Sequence, residues 1–98
     1  MIDQKFPRGT RVRFLDNYSI SEEHSIAGGE VIISDSYIDM NRYLYEVLFL
    51  SPNGLEMCGW YSETRFALVC SNIAKGVVIL EAYKYGITHL ESLPKELL

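Results

Sequence analysis

The sequence predicts a small all-β domain, and three observations lead to that prediction. Runs of β-branched and aromatic residues alternate with turn residues through residues 8–70. The longest of these runs ends at Pro52 and Asn53-Gly54, a strong hairpin signal. Hydrophobic residues make up 48% of the 98 positions, enough for a core without disulfides or metals. We therefore expect one globular domain with room for a short appendage.

The first strand is predicted in the segment FPRGTRVRFLD, where Pro7 and Gly9 mark a turn. Val12 and Phe14 then alternate with two arginines, which gives the strand one apolar face and one basic face. Residues 16–28 are polar and show no sustained period, so we expect a long loop that ends at a pair of glycines.

Two further strands are predicted in the middle of the chain. The segment EVIISDSYID is rich in β-branched residues and fades into a polar connection at Asp39-Met40-Asn41. The segment RYLYEVLFL, residues 42–50, is the strongest strand signal in the chain. After its turn, LEMCGWY is expected to return as the second arm of a hairpin.

The stretch GWYSETRFALV is predicted to close the β domain. Ser62 and Thr64 can cap backbone N–H groups within a single helical turn, and ALVC is short and apolar enough for a last strand. Phe66 and Leu68 are expected to enter the core. Trp60 is left open between the core and a half-exposed contact position, because its indole is large and its N–H group needs a partner.

The chain beyond residue 70 is predicted to add one strand and one short helix. Val77–Tyr85 reads as strand-like, since it begins with a run of β-branched residues. Ser92 and Pro94 favour a helix that starts near Ser92, while Thr88 and Glu91 have the spacing of a capping box.

The third strand raises a question about its second face. Alternation places Tyr43, Tyr45, Val47 and Phe49 on one face, and Leu44, Leu48 and Leu50 on the other. A strand of a small antiparallel sheet normally has one face exposed to solvent. A further segment or another protein is therefore expected to cover the leucines. The cover could be the C-terminal segment, a partner protein or a second copy of the chain, and the sequence leaves all three open.

Charge is distributed unevenly along the chain. Residues 1–15 carry four basic residues and one acid, a net charge of +3, and residues 16–70 carry nine acids and two arginines, a net charge of −7. An acidic middle section repels phosphate backbones, which weakens a nucleic-acid-binding interpretation. The basic residues near the start are Lys5, Arg8, Arg11 and Arg13.

The residues that carry chemistry do not form a catalytic or metal-binding motif. Cys58 and Cys70 are twelve positions apart without a C-x-x-C pair, so we expect two reduced, packed thiols. His24 and His89 have no companions at the spacing of a triad or a zinc site. We therefore predict no catalytic residues, no metal and no cofactor.

The order of elements, with GTRVRFLD, GGEVIISD, YEVLF and GWYSETRFALV, resembles the Src-homology-3-like small β-barrels. It is most similar to the short barrel proteins of bacteriophages and to KOW/Tudor-type modules. The resemblance covers about residues 8–70. It implies a five-stranded barrel over residues 1–70, with residues 71–98 packed on it as the C-terminal strand and short helix. KOW-type modules usually have a basic binding face, whereas the corresponding region here is acidic.

The resemblance and the charge pattern together predict a non-enzymatic protein-binding module. It would be a phage-type accessory or inhibitor protein that binds a basic surface of a host protein through acidic and aromatic loops. The expected contact residues are Tyr18, Glu22, Glu23, Asp35, Tyr37, Asp39 and Trp60.

Two other functions remain possible from the sequence. One is a nucleic-acid-binding module that uses the basic first strand and exposed aromatic residues. The other is a homodimer subunit that associates through Leu44, Leu48 and Leu50. No apolar run is long enough for a membrane span and the N-terminus lacks a signal-peptide core, so a cytoplasmic protein without membrane contact is expected.

Overall fold

The computed structural model describes residues 5–15, 29–51 and 54–97. Five antiparallel strands form one sheet, and one α-helix follows them. The elements are β1 Arg11–Phe14, β2 Glu30–Asp39, β3 Arg42–Ser51, β4 Gly54–Ser62, β5 Phe66–Cys70 and α1 Ile73–Lys84. The prediction of a mainly β domain is confirmed for this part of the chain.

The strands are ordered β4-β3-β2-β1-β5 across the sheet. Every neighbouring pair is antiparallel, including β1 with β5, which are far apart in sequence. Strands β4 and β5 are the two edges, and no ladder joins them among the described residues, so this part of the chain forms an open sheet.

Strands β2 and β3 are joined by a tight two-residue turn. Met40 and Asn41 have φ angles of 49° and 66°, the left-handed values that a type I′ hairpin turn requires at both central positions. Asp39 pairs with Arg42 directly beside it. The predicted connection at residues 39–41 is confirmed. The predicted loop at 16–28 and turn residues 52–53 lie outside the described residues.

The predicted helical turn between the last two strands is confirmed as a 3-10 turn, Glu63–Arg65. The hydroxyl oxygen of Ser62 caps it by accepting a hydrogen bond from the Thr64 N–H at 3.5 Å. The Arg65 carbonyl then accepts from the Leu15 N–H at 2.9 Å, which ties the turn to the end of β1. The 3-10 turn therefore helps to hold the end of β1 next to the start of β5.

The first hydrophobic core lies on one face of the sheet and is rich in aromatic rings. Phe14 is central to it, with ring centroids 5.0 Å from Phe66 and 5.3 Å from Tyr61. The prediction that Phe66 is a core residue is thus confirmed. The core consists of Phe6, Val12, Phe14, Val31, Ile33, Tyr45, Val47, Phe49, Tyr61 and Phe66.

Leu68 does not join this core, and the prediction that it would is wrong. Its side chain is 57% exposed. Leu68 pairs with the buried Val12, so it shares the face of the first core, but β5 is an edge strand whose exposure rises from Phe66 to Cys70. Alternation predicts the face on which a residue lies, not where the core ends along an edge strand.

Tyr45 anchors the start of the described chain to the first core. Its ring is fully buried, and its hydroxyl oxygen accepts hydrogen bonds from the backbone N–H groups of Lys5 and Phe6, each at 3.2 Å. Burial raises the pKa of the hydroxyl, and the two backbone donors partly oppose that rise. The neutral phenol therefore satisfies two donors that would otherwise lack acceptors.

The second hydrophobic core lies between the opposite face of the sheet and the C-terminal segment. It consists of Ile32, Leu48, Leu55, Ile79, Leu80 and Leu93. Leu50 is partly buried against the same cluster. The C-terminal segment therefore covers Leu48 and Leu50, which decides between the alternatives that the sequence left open at these two positions. Leu44 lies further along β3, where it pairs with Tyr37 and Ser62.

The predicted strand Val77–Tyr85 is wrong, because these residues belong to α1 up to Lys84. The Asn72 side chain caps the helix by accepting from the Ala74 N–H at 3.1 Å. Ile79 and Leu80 face the sheet while Val78 is exposed, so the unbroken apolar run conceals a helical period. Packing on the second core outweighs the strand preference of the β-branched residues.

The predicted helix near Ser92 is replaced by two 3-10 turns, Leu90–Ser92 and Lys95–Leu97. The second turn follows Pro94, whose carbonyl accepts from the Leu97 N–H at 3.1 Å. A second bond, from the Leu55 N–H to the Thr88 carbonyl at 2.6 Å, fixes this segment to β4. The segment therefore consists of short 3-10 turns that are held against β4 by a backbone hydrogen bond.

Helix α1 also packs closely against the turn that precedes β1. A Cβ atom on Gly76 would overlap the carbonyl oxygen of Gly9, so the two backbones touch where only glycine fits. Further along α1, the Glu81 carboxylate contacts the Arg8 guanidinium at 3.0 Å. The helix is thus docked on both the sheet and the N-terminal turn.

This close approach predicts an unusual result for Gly76→Ala. In an ordinary helix the change stabilises by about 0.5–1 kcal/mol, whereas here the overlap is expected to lower the free energy of unfolding by about 1–3 kcal/mol. Chemical denaturation measures the difference. Val78→Ala, at an exposed position of the same helix, serves as the control and should stay within about 0.5 kcal/mol of wild type. A stabilised Gly76→Ala variant would contradict the docking described here.

Candidate functional site

The second face of the sheet continues past the second core along β2 and β3. Residues that alternate on a strand, and residues directly opposite on an antiparallel neighbour, share one face. Leu48 is in the second core, and Glu46 and Leu44 follow at alternate positions of β3. Their partners on β2 are Asp35 and Tyr37. These four residues therefore continue the same face of the sheet, beyond the part that α1 covers.

Trp60 on β4 completes this surface by contacting Tyr37 across β3. The ring centroids are 4.8 Å apart at an interplanar angle of 79°, the edge-to-face arrangement that aromatic pairs favour. Both side chains remain accessible, with 44% of Tyr37 and 41% of Trp60 exposed. Gly59 lies against Glu46, since a Cβ on Gly59 would be 3.2 Å from the Glu46 Cα. Strand β4 thereby places the indole beside Glu46.

Three carboxylates surround the aromatic pair. Asp35 and Asp39 lie two positions before and after Tyr37 on β2, and Glu46 pairs with Asp35 across the ladder. One cation, Arg42, pairs with Asp39 at the hairpin end. We call the set Asp35, Tyr37, Asp39, Glu46 and Trp60 the aromatic–acidic surface.

The structure brings together four of the seven predicted contact residues. Asp35, Tyr37, Asp39 and Trp60 belong to the aromatic–acidic surface. The other three, Tyr18, Glu22 and Glu23, lie outside the described residues. Of the alternative interface leucines, Leu48 is buried and Leu50 packs on the second core, while Leu44 adjoins the aromatic–acidic surface.

Glu46 was not predicted as a contact residue, although the sequence contained a signal for it. It is the only charged residue within RYLYEVLFL after the initial arginine. Its place on an otherwise apolar face marks the point where the covered part of that face ends. A charge interrupting a strand that is apolar on both sides indicates such a boundary.

The chemistry of this surface favours positively charged, partly apolar groups. The electron-rich faces of Trp and Tyr rings attract cations. The neighbouring carboxylates attract cations as well, because they are negatively charged. Met40 is exposed at the β2–β3 turn next to Asp39, whereas Ile38 is exposed on the other face of the sheet. Aromatic residues of this kind are enriched at protein interfaces.

The basic residues near β1 are largely engaged with carboxylates. The Arg11 guanidinium contacts the Glu30 carboxylate at 2.7 Å, and Arg8 contacts Glu81 at 3.0 Å. The Lys5 ammonium lies 5.4 Å from the centre of the Phe6 ring. These contacts reduce the positive potential that a phosphate backbone would meet, so they weaken the nucleic-acid alternative.

The two cysteines occupy different environments. Both are free, but Cys58 is partly buried against the first core while Cys70 is exposed at the end of β5. The prediction of two packed thiols is therefore wrong for Cys70, because β5 extends past the core. Burial raises the pKa of the Cys58 thiol, and the charge of Glu56 raises it further.

These environments predict two distinct thiol reactivities. Cys70 is expected to react with an aromatic disulfide reagent at the rate of an exposed thiol. Cys58 is expected to react slowly until the protein unfolds, since its raised pKa lowers the thiolate fraction and packing limits access. Stopped-flow absorbance should show one fast and one slow equivalent. Cys70→Ser should remove only the fast phase, and a fast phase surviving in that variant would contradict the assignment.

Within residues 5–15, 29–51 and 54–97, no group of three or more His, Cys, Asp or Glu side chains could hold a metal ion. The only α-helix in these ranges, α1, is too short to cross a membrane. Comparison of the chain with models of protein families, with curated proteins and with solved structures finds no match.

Proposed function

We propose that the chain is a non-enzymatic protein-binding module whose aromatic–acidic surface binds a basic surface of another protein. The observation that carries this proposal is the half-exposed Tyr37–Trp60 pair with Asp35, Asp39 and Glu46 around it. An aromatic pair supplies apolar contact area at low entropic cost, and the carboxylates supply orientation and charge complementarity.

The architecture that we propose for the module is an Src-homology-3-like small barrel. The strand order β4-β3-β2-β1-β5 supports it, as does the single 3-10 turn between β4 and β5. Both agree with the succession of elements from which the sequence resemblance was drawn. Closure of the sheet into a barrel remains part of the proposal.

A phage-type accessory or inhibitor protein acting on a host protein in the cytoplasm is the role that fits this surface. A basic protein surface that normally binds nucleic acid would meet a complementary acidic surface here. The formal charge of −4 on the chain would favour such an encounter at low ionic strength. Competition for a basic surface is thus the mechanism that we propose.

Affinity capture from a host lysate, with and without nuclease, tests this function. We expect one dominant protein that survives nuclease, is recovered by the wild-type chain and is lost with Trp60→Ala. Tyr85→Ala removes an equally aromatic exposed residue just after α1 and should retain the protein. Recovery that disappears with nuclease would favour the nucleic-acid alternative.

Direct titration with nucleic acid provides an independent test. Because Arg8 and Arg11 are paired with carboxylates, binding to a mixed-sequence duplex should be weak and should fall steeply as salt rises. Fluorescence anisotropy at physiological salt measures it. A dissociation constant below about 1 μM, tighter than typical non-specific binding, would overturn the proposed function.

A further inference from the structure

A cleft of about 370 Å³ opens between the N-terminal half of α1 and the β1–β2–β5 side of the sheet. Its volume is within the range of roughly 300–1,000 Å³ that is typical of small-molecule sites. It is lined by different residues from the aromatic–acidic surface, and only Ile32, Ile79 and Leu97 among them also pack in or against the second core. The cleft therefore requires its own explanation.

The charged residues that line the cleft carry a net positive charge. Arg11 and Lys75 contribute two cations, and Glu30 contributes one carboxylate. The sum is +1, in a chain whose formal charge is −4. A monoanion would neutralise this charge, whereas a phosphate dianion would leave a net negative charge.

Arg11 has one hydrogen-bond donor without an acceptor. One terminal nitrogen contacts Glu30 at 2.7 Å, but the buried Nε–H group has no acceptor among the described residues. A buried donor without an acceptor is destabilising. An acceptor oxygen that reached this N–H group would remove the deficit.

Apolar side chains lie next to the charged ones on both sides of the cleft. Ile32 pairs with Arg11 in the β1–β2 ladder, Ile79 follows Lys75 on α1, and Leu97 of the last 3-10 turn also lines the cleft. Ligand pockets commonly combine a mainly apolar lining with a few polar groups that fix orientation. The lining as a whole matches a molecule with an acidic head and an apolar body.

We propose that this cleft binds a small amphipathic monocarboxylate. The carboxylate lies at Arg11 and Lys75, and the hydrocarbon chain lies against Val69 and Leu97, the apolar lining residues that are accessible. A charged head is recognised by the two cations, and transfer of the chain out of water supplies the apolar part of the binding free energy.

Octanoate is the probe that tests this proposal, with octanol and octylamine as controls of equal chain length. In amide proton–nitrogen NMR spectra of the full chain, octanoate should shift the signals of residues 70–76 saturably. Octanol should bind more weakly and octylamine most weakly. Occupancy should also slow the reaction of the Cys70 thiol, since Cys70 lines the cleft.

Lys75→Gln is expected to weaken octanoate binding about threefold to fivefold, the effect of removing one exposed ion pair. Lys84→Gln, at the other end of α1, is the matched control and should leave the affinity unchanged. Both residues are exposed, so both variants should fold. The proposal is overturned by shifts that do not saturate in the millimolar range, by equal binding of octylamine, or by shifts centred on Tyr37 and Trp60.

Discussion

Deleting residues 76–98 is expected to leave a chain that unfolds or aggregates. The deletion removes Ile79, Leu80 and Leu93 from the second core and uncovers the apolar side of the sheet that faces them. Loss of three buried side chains at about 1.5–3 kcal/mol each amounts to roughly 4–9 kcal/mol. The total free energy of unfolding of a natural domain is about 5–15 kcal/mol. Thermal unfolding followed by circular dichroism measures the effect.

Leu48→Asp tests the same core without shortening the chain. Leu48 is fully buried beneath the C-terminal segment, so a carboxylate there should prevent stable folding. Glu56→Asp changes an exposed position of the neighbouring strand and serves as the control. A truncated chain that stays monomeric with an unchanged melting temperature would refute the covering role of the C-terminal segment.

Changing Trp60 to alanine should weaken partner binding strongly while leaving the chain folded. Tryptophan at the centre of an interface commonly contributes 2 kcal/mol or more, so the dissociation constant should rise by about thirtyfold. Tyr37→Ala should act in the same direction, because each ring supports the other. Isothermal calorimetry with the captured protein measures both variants.

Controls for the tryptophan change separate a folding defect from a binding defect. Trp60 is already 41% exposed, so its removal should cost little stability compared with Leu48→Asp. Tyr85→Ala, remote from the aromatic–acidic surface, should bind like wild type. If Trp60→Ala binds with wild-type affinity, the proposed surface is not the binding site.

The sequence predicted the strands well because their signals are local. Alternation along RYLYEVLFL correctly assigned Tyr45 to one core and Leu48 to the other. The polar residues at 39–41 marked the turn between β2 and β3, and Ser62 marked the 3-10 turn. Each of these signals acts within a few residues of the structure it determines.

Tertiary contacts explain what the sequence did not predict. The run Val77–Leu80 is apolar at every position, so its period is ambiguous until the sheet selects one helical face. Leu68 is exposed because the core ends partway along the edge strand β5, and no local pattern encodes that end. The Gly9–Gly76 contact joins segments that are distant in sequence.

The sequence predicted which types of residue would act together, but not how they are arranged in space. Acidic and aromatic residues were expected to act together, yet nothing in the sequence placed Trp60 against Tyr37 across an intervening strand. That contact depends on the order of β2, β3 and β4 in the sheet. The same order places Glu46 beside Asp35, a position that its charge within an apolar strand did not specify.

The salt dependence of partner binding tests the central claim most directly. We would compare the wild-type chain with a double variant, Asp35→Asn with Glu46→Gln, which keeps the shape of the aromatic–acidic surface but removes two charges. Wild-type affinity should fall as salt rises, because screening weakens attraction to a basic partner. The double variant should bind more weakly at low salt and show a flatter salt dependence. Equal affinities and equal salt dependence in the two proteins would contradict binding of a basic surface at this site.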